Sequence, residues 1–340
     1  MNLYHDVSVF FGETFAVLSN LSYLNPWKNI TSILGPPESW FEHPDSEMNI
    51  IHPLLIRDYR TLENNVTALV ALALPRVAPF RGIPSSLPQP AEPTYEDEAW
   101  FFVNGVATNE SILAMNGRYL RRLFHRSFEL IENPTDGVPI DLIECFFQRS
   151  LNSLTRPAEY TFERVNDAFI NPRYRRVVLL GHSQGGIIIS NVLQMLLDRY
   201  PGDERLTRLE IYTFASAADE MPFDLELTRR ERRWVPYLEH FINLGDFIVK
   251  LGILQNRERI AGDVYIRDKE GHLLNAHYLP ELEAKRYTGT RPGKRPRLYE
   301  YLAGRQPGDF PAFPKDLRTA RAVEQEVMEE VSGEVETVEP

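Results

Sequence analysis

Residues 177–186 read VVLLGHSQGG, and IIISNVLQMLLDRY follows without a break. An apolar run that enters Gly181-His182-Ser183-Gln184-Gly185-Gly186 and leaves as a long apolar stretch constrains this chain more than any other feature. It reads as a buried strand turning sharply into a helix, with a hydroxyl at the apex. A serine on so tight a turn needs small neighbours, because its backbone crowds the adjacent strand and helix. Gly181 and Gly185 are those neighbours, and Gly186 lets the helix pack close. The turn also lies at a helix N-terminus, where developing negative charge is favoured. The spacing disfavours a dinucleotide-binding turn, since G-H-S-Q-G-G is not G-x-G-x-x-G.

The surroundings fit such a turn. From Ala99 onward, strand-like and helix-like segments alternate. AWFFVNG, SFELIEN, RRVVLL, RLEIYTFAS, YLEHFINLG and GDVYIRD read as strands. NESILAMNGRYLRRLF (capped by Asn109), IDLIECFFQRSL, PAEYTFERVNDAFI and GGIIISNVLQMLLDRY read as helices. Such alternation predicts an α/β fold, with a mostly parallel central sheet covered by helices on both faces. Residues 1–98 are expected to form an N-terminal accessory segment packing on the core. Within them the proline-rich stretch 78–98 reads as a linker or surface-hugging segment, and NNVTALVALALPRV as a strand or a buried helix. Trp27, Trp40, Phe41 and Phe80 could wall a pocket there. Residues 99–314 are the expected core. Residues 315–340, acidic and poor in aromatics, are expected to be a disordered tail or a loose helix.

A serine hydroxyl is a poor nucleophile without a base, and the base needs an orienting acid. With this architecture the chain order is serine, acid, histidine. Past the apolar helix lie His240, His272 and His277. His240 falls inside a predicted buried strand and reads as structural. His272 follows the turn Asp268–Gly271 after the last predicted strand, whereas His277 begins HYLPELEAKRY, which looks helical. A loop residue can swing its ring over the strand ends, which favours His272 slightly as base with His277 as brace, and both remain candidates. The acid should end a strand. FINLGDFIVKLGIL offers Asp246 and TFASAADEM offers Asp219, of which Asp246 holds the commoner position. An oxyanion hole needs two backbone amides. Gln184, after the serine, should give one. The other should come from FFVNGVATNE, where Gly105 admits close approach and Val106 or Ala107 supplies the amide.

WFFVNGVATN, IENPTDGVPIDLIEC, LLGHSQGG, LEIYTFASAAD, EHFINLGDFIVKLGIL and GHLLNAHYL together resemble the α/β-hydrolase superfamily, and more narrowly lipase-like serine hydrolases of fungi. The resemblance spans roughly residues 100–285. It implies Ser183 as nucleophile and the GH…HY segment as the base-bearing loop. Position 219 carries Asp where relatives are expected to carry Asn, which further demotes it as the acid.

Charge and composition narrow the partners. A formal net charge of −11 argues against nucleic acid, which needs a basic footprint. No stretch is apolar for long enough to span a membrane, and the N-terminus lacks a basic region ahead of a clean apolar core. One cysteine, Cys145, excludes an intramolecular disulfide and fits a reducing, cytoplasmic setting. No metal-ligand spacing is present, so neither metal nor cofactor is expected. The expected partner is a small-molecule ester or acyl substrate. Ester hydrolysis through an acyl-enzyme is the leading reading. Acyl transfer or cyclisation through the same intermediate, and an inactive hydrolase-fold binding module, are the alternatives.

Overall fold

Val177–Leu180 lie inside β4 (Arg176–His182), which is buried at every position. Each such aliphatic side chain removed from water contributes on the order of 1.5–3 kcal/mol. A computed structural model of the chain describes residues 35–36, 39, 42–47, 85–88, 95–105, 110–133, 156–222, 236–290 and 293–308. In it β4 lies within an eight-stranded sheet. The other strands are β1 (Ser85–Pro88), β2 (Glu98–Val103), β3 (Phe128–Glu132), β5 (Leu209–Phe214), β6 (Tyr237–Asn243), β7 (Asp263–Arg267) and β8 (Thr288–Gly289). Their order is β1-β3-β2-β4-β5-β6-β7-β8. Strands β2 to β7 pair in parallel, and β1 and β8 close the edges antiparallel.

Among the described residues the α-helices are α1 (Glu110–Phe124), α2 (Arg156–Ile170), α3 (Gly185–Arg199), α4 (Phe247–Leu251) and α5 (Leu279–Glu283). α1 carries Glu110 in its first turn and Arg121 and Arg122 in its last, matching the helix dipole. α3 buries Ile188, Ile189, Val192, Leu193 and Leu196 against β2, β4 and α2, and Ile187 against Ala217, Ala218 and Ile248. α1 packs against β3, α5 and a C-terminal 3₁₀ segment, Arg297–Gly304. β5 is buried throughout, like β4, so both sheet faces are covered. Parallel strands between helical layers, with a sharp strand–turn–helix at the centre, make this the α/β-hydrolase fold.

The opposite ends of the strands are tied by buried charge. Glu98 accepts from Trp100 Nε1 (2.9 Å), Arg126 Nε (3.0 Å) and Arg176 Nη1 (3.4 Å). Glu210 accepts from Tyr212 and Tyr301 hydroxyls (2.6 and 2.8 Å) and pairs with Arg297 (3.2 Å). Glu239 takes the amides of Arg297 and Leu298, and burial raises its carboxyl to about 7. Removing one partner of such a pair costs roughly 3–5 kcal/mol, because the other charge is left buried.

Two features differ from the sequence reading. The proline-rich stretch 78–98 contributes β1, an edge strand, where proline is tolerated because no neighbour needs its missing N–H. The helix expected to begin at His277 starts earlier, as a π turn at Leu274–Tyr278 that runs on into α5. The readings made for residues 64–77, 140–151 and 315–340, for Asn109, and for Trp27, Trp40, Phe41 and Phe80 lie outside the described residues. No helix among the described residues is long and apolar enough to cross a membrane.

His240 is fully buried in β6. Its Nε2–H donates to the Ala261 carbonyl (2.8 Å), and its Nδ1 accepts from the Thr213 hydroxyl (2.8 Å). Burial lowers its pKa from 6.5 to about 4. Between those values the unfolded chain binds a proton that the folded ring refuses. The stability His240 confers is therefore full above about pH 6.5 and is lost as pH falls toward about 4. Replacing it, as His240→Gln, should destabilise the fold less at about pH 5 than at about pH 7.5, by on the order of 1–2 kcal/mol in urea unfolding. An equal penalty at both pH values would show that the buried ring does not titrate as described.

Candidate active site

Ser183 directly follows β4 with φ of +57°, in the left-handed region that a side chain enters at a cost of about 1–3 kcal/mol. Main-chain bonds hold it there. Its N–H donates to Phe214 O (3.0 Å), and its carbonyl accepts from Gly186 N (2.9 Å) and Ala217 N (3.1 Å). Close approach explains two of the flanking glycines. A Cβ on Gly185 would strike the Val103 carbonyl at the end of β2, and one on Gly105 would sit 2.7 Å from the Ser183 Cβ. Both glycines let the β2 end press against the turn, so the Ser183 side chain is fixed from two sides.

The structure brings together Ser183, His272 and Asp246. His272 Nε2 lies 2.9 Å from Ser183 Oγ, and His272 Nδ1 lies 2.8 Å from Asp246 Oδ2. A carboxylate can only accept, so Nδ1 carries the proton and Nε2 is the free acceptor for the serine O–H. Asp246 is fully buried. Its Oδ1 caps α4 by accepting from Ile248 N (2.9 Å), and its Oδ2 also accepts from the Tyr278 hydroxyl (2.7 Å). One short loop after β6 therefore starts a helix and aims a carboxylate at once. Asp219 lies against Arg259 instead, 3.7 Å from its Nη1.

His277 does not bridge serine and acid. Its Nδ1 accepts from Leu273 N (3.0 Å), and its Nε2–H donates to Ser39 Oγ (3.1 Å), whose own proton goes to the Pro36 carbonyl (2.7 Å). Burial lowers its pKa to about 3, so it stays neutral. Its ring lies against Gly271, which has φ of +102° and where a Cβ would come within 2.6 Å of Nδ1. His277 thus packs on the turn that delivers His272.

Three neighbours escape a sequence reading. Tyr278 donates to the same carboxylate oxygen as His272 and accepts from Asn243 N (3.1 Å). His182 donates through Nε2–H to the main-chain carbonyl of His272 (2.8 Å), and burial drops its pKa to about 3. Asn133, just past β3, donates its side-chain amide to Gln184 Oε1. The Asn133 N–H is in turn fixed by Asn104 Oδ1 (2.7 Å), beside Gly105. Tyr278 directly follows His277 in sequence, but only the π turn swings it toward Asp246. Gln184 leads α3, with its side chain so held. Val106 and Ala107, the other expected oxyanion donors, lie outside the described residues. Among the described residues no group of three or more His, Cys, Asp or Glu could hold a metal ion.

No family model matches the chain, and no curated protein matches it. Solved structures give distant likenesses. A lipase-esterase related protein from Clostridium acetobutylicum is 10% identical, with 60% of this chain and 98% of that one covered, at a TM-score of 0.34. A putative esterase from Staphylococcus aureus is 12% identical, with 72% and 93% covered, at a TM-score of 0.31. Alpha/beta hydrolase domain-containing protein 10 from mouse is 15% identical, with 56% and 85% covered, at a TM-score of 0.31.

The geometry separates the two histidines by experiment. A fluorophosphonate probe should label Ser183. Removing the ring that contacts its hydroxyl, as His272→Ala, should slow labelling by about 10³–10⁴-fold. His277→Ala should cost less than about tenfold, and Tyr278→Phe about tenfold, since each leaves His272 and Asp246 in place. Peptide mapping and labelling rates check this; fast labelling of His272→Ala would refute the arrangement.

Proposed function

We propose that the protein is a serine hydrolase that cleaves a small-molecule carboxylic ester through an acyl-enzyme on Ser183. The observation that carries this reading is the unbroken contact chain from Ser183 Oγ through His272 to a buried Asp246, built on a strained strand–helix turn. As Ser183 Oγ attacks the ester carbonyl carbon, His272 Nε2 takes its proton. The negative charge on the former carbonyl oxygen falls to the Gln184 backbone amide and to a second amide, for which the sequence offers Val106 or Ala107. Each such donor is worth roughly 2.7–4 kcal/mol of barrier. The imidazolium then gives its proton to the departing alkoxide, leaving the acyl group on Ser183. Water, deprotonated by the same histidine, releases the acid and restores the serine.

Asp246 holds the His272 tautomer and faces the positive ring formed midway. The Ile248 amide and the Tyr278 hydroxyl both donate to Asp246 and so hold its carboxylate against the His272 ring. The cycle uses no metal or cofactor.

Ser183→Ala should retain the fold by circular dichroism and lose hydrolysis of p-nitrophenyl acetate by about 10⁴-fold or more. A chelator should leave the wild-type rate unchanged. Activity retained by Ser183→Ala, or lost on chelation and restored by a divalent ion, would sink this mechanism.

A further inference from the structure

His272 is delivered by a turn that an N-terminal segment grips. Among the described residues, Ser39, Asp45 and Glu47 each bond to 275–277. Ser39 Oγ accepts from His277, and the Asp45 carbonyl accepts from Asn275 Nδ2 (2.7 Å). Glu47 takes two main-chain amides, Oε1 from Asn275 N (2.7 Å) and Oε2 from Ala276 N (3.1 Å). These amides sit in the first turn of the helical stretch Leu274–Glu283 and lack partners further back in that helix. A carboxylate from a segment more than two hundred residues away in sequence is thus the acceptor for the turn that immediately follows His272.

We propose that Glu47 is a positioning residue for His272, which in its ionised form pins the 273–276 turn and so keeps the imidazole between Ser183 and Asp246. This rests on the reading of His272 as base. Two oxygens accepting two amides need the carboxylate. A proton on either oxygen weakens its acceptance and loosens the turn. Among the described residues the ionisable groups of these elements include His277 of the same turn, with Lys269 acting on it, and His43 and Asp45 of the Glu47 segment. Arg122 reaches from α1 to both of the latter, at 2.8 and 3.3 Å. Asp246 lies across the ring of His272. Burial raises the Glu47 carboxyl to about 7, which puts its titration within the working range of an esterase.

The test compares wild type with Glu47→Gln and Glu47→Asp, using p-nitrophenyl acetate hydrolysis and hydrogen exchange of peptides covering 272–278. Glutamine stands in for the protonated acid. At about pH 8.5 wild-type kcat should exceed that of Glu47→Gln by about tenfold or more, with KM little changed. At about pH 5.5, where wild-type Glu47 is also protonated, the ratio should fall to within about twofold. Glu47→Asp should recover part of the loss at high pH. Exchange at 272–278 should be faster in Glu47→Gln than in wild type at the higher pH and equal at the lower, with sheet peptides unchanged. A rate ratio that does not vary with pH, or equal protection of 272–278 at both, would overturn the proposal. The exchange readout needs no catalysis. If wild type proves inert to ester and probe, the hydrolase reading fails while exchange still decides the structural role of Glu47.

Discussion

The left-handed backbone of Ser183, tethered by the Phe214 carbonyl and by the Gly186 and Ala217 amides, determines where its hydroxyl can point. That conformation is unfavourable in isolation. It persists because three strands and the first turn of α3 meet there, and because Gly105 and Gly185 leave no side chain in the gap between β2 and the turn. Once the hydroxyl is fixed, the rest of the upper face is arranged around it. The loop after β6 brings Asp246, the loop after β7 brings His272, and His182 holds the His272 main chain.

The sheet divides its polar groups between its two ends. At the lower end Glu98, Glu210 and Glu239 face Arg126, Arg176 and Arg297, with tyrosine hydroxyls filling the remaining acceptor sites. These groups are paired to stay put. At the upper end the polar chain runs from Asp246 to a serine whose proton is not committed to a permanent acceptor other than the His272 ring. Buried hydrogen bonding gives rigidity in both places, and at the upper end it finishes on a hydroxyl rather than on a charged pair.

The parallel core was legible because β4, β5 and β6 are short apolar runs set between helical patterns, and because a serine among glycines at a strand–helix junction has few structural meanings. Asp246 and His272 followed from chain order and from the ends of strands. Contacts that depend on a helix changing its winding were not legible. The π turn at Leu274–Tyr278 moves Tyr278 onto Asp246 and His277 away from Ser183, and no local propensity marks such a turn. β1 was hidden by the prolines around it, because an edge strand does not need the N–H groups that proline lacks. Glu47 was hidden for a different reason. Its significance lies in two distant main-chain amides, which composition and spacing do not reveal.

The bond between Ser39 and His277 joins positions 238 apart in the chain. A contact over that separation is non-local, and the closure cost it carries grows only slowly with the length of chain between. His272 lies 89 positions after Ser183 in the chain, so during synthesis the serine is made before the ring that contacts it. A chain cut off between the two would hold the serine without its histidine contact. The setting of the 272–277 turn thus draws on residues from well before the serine as well as well after it.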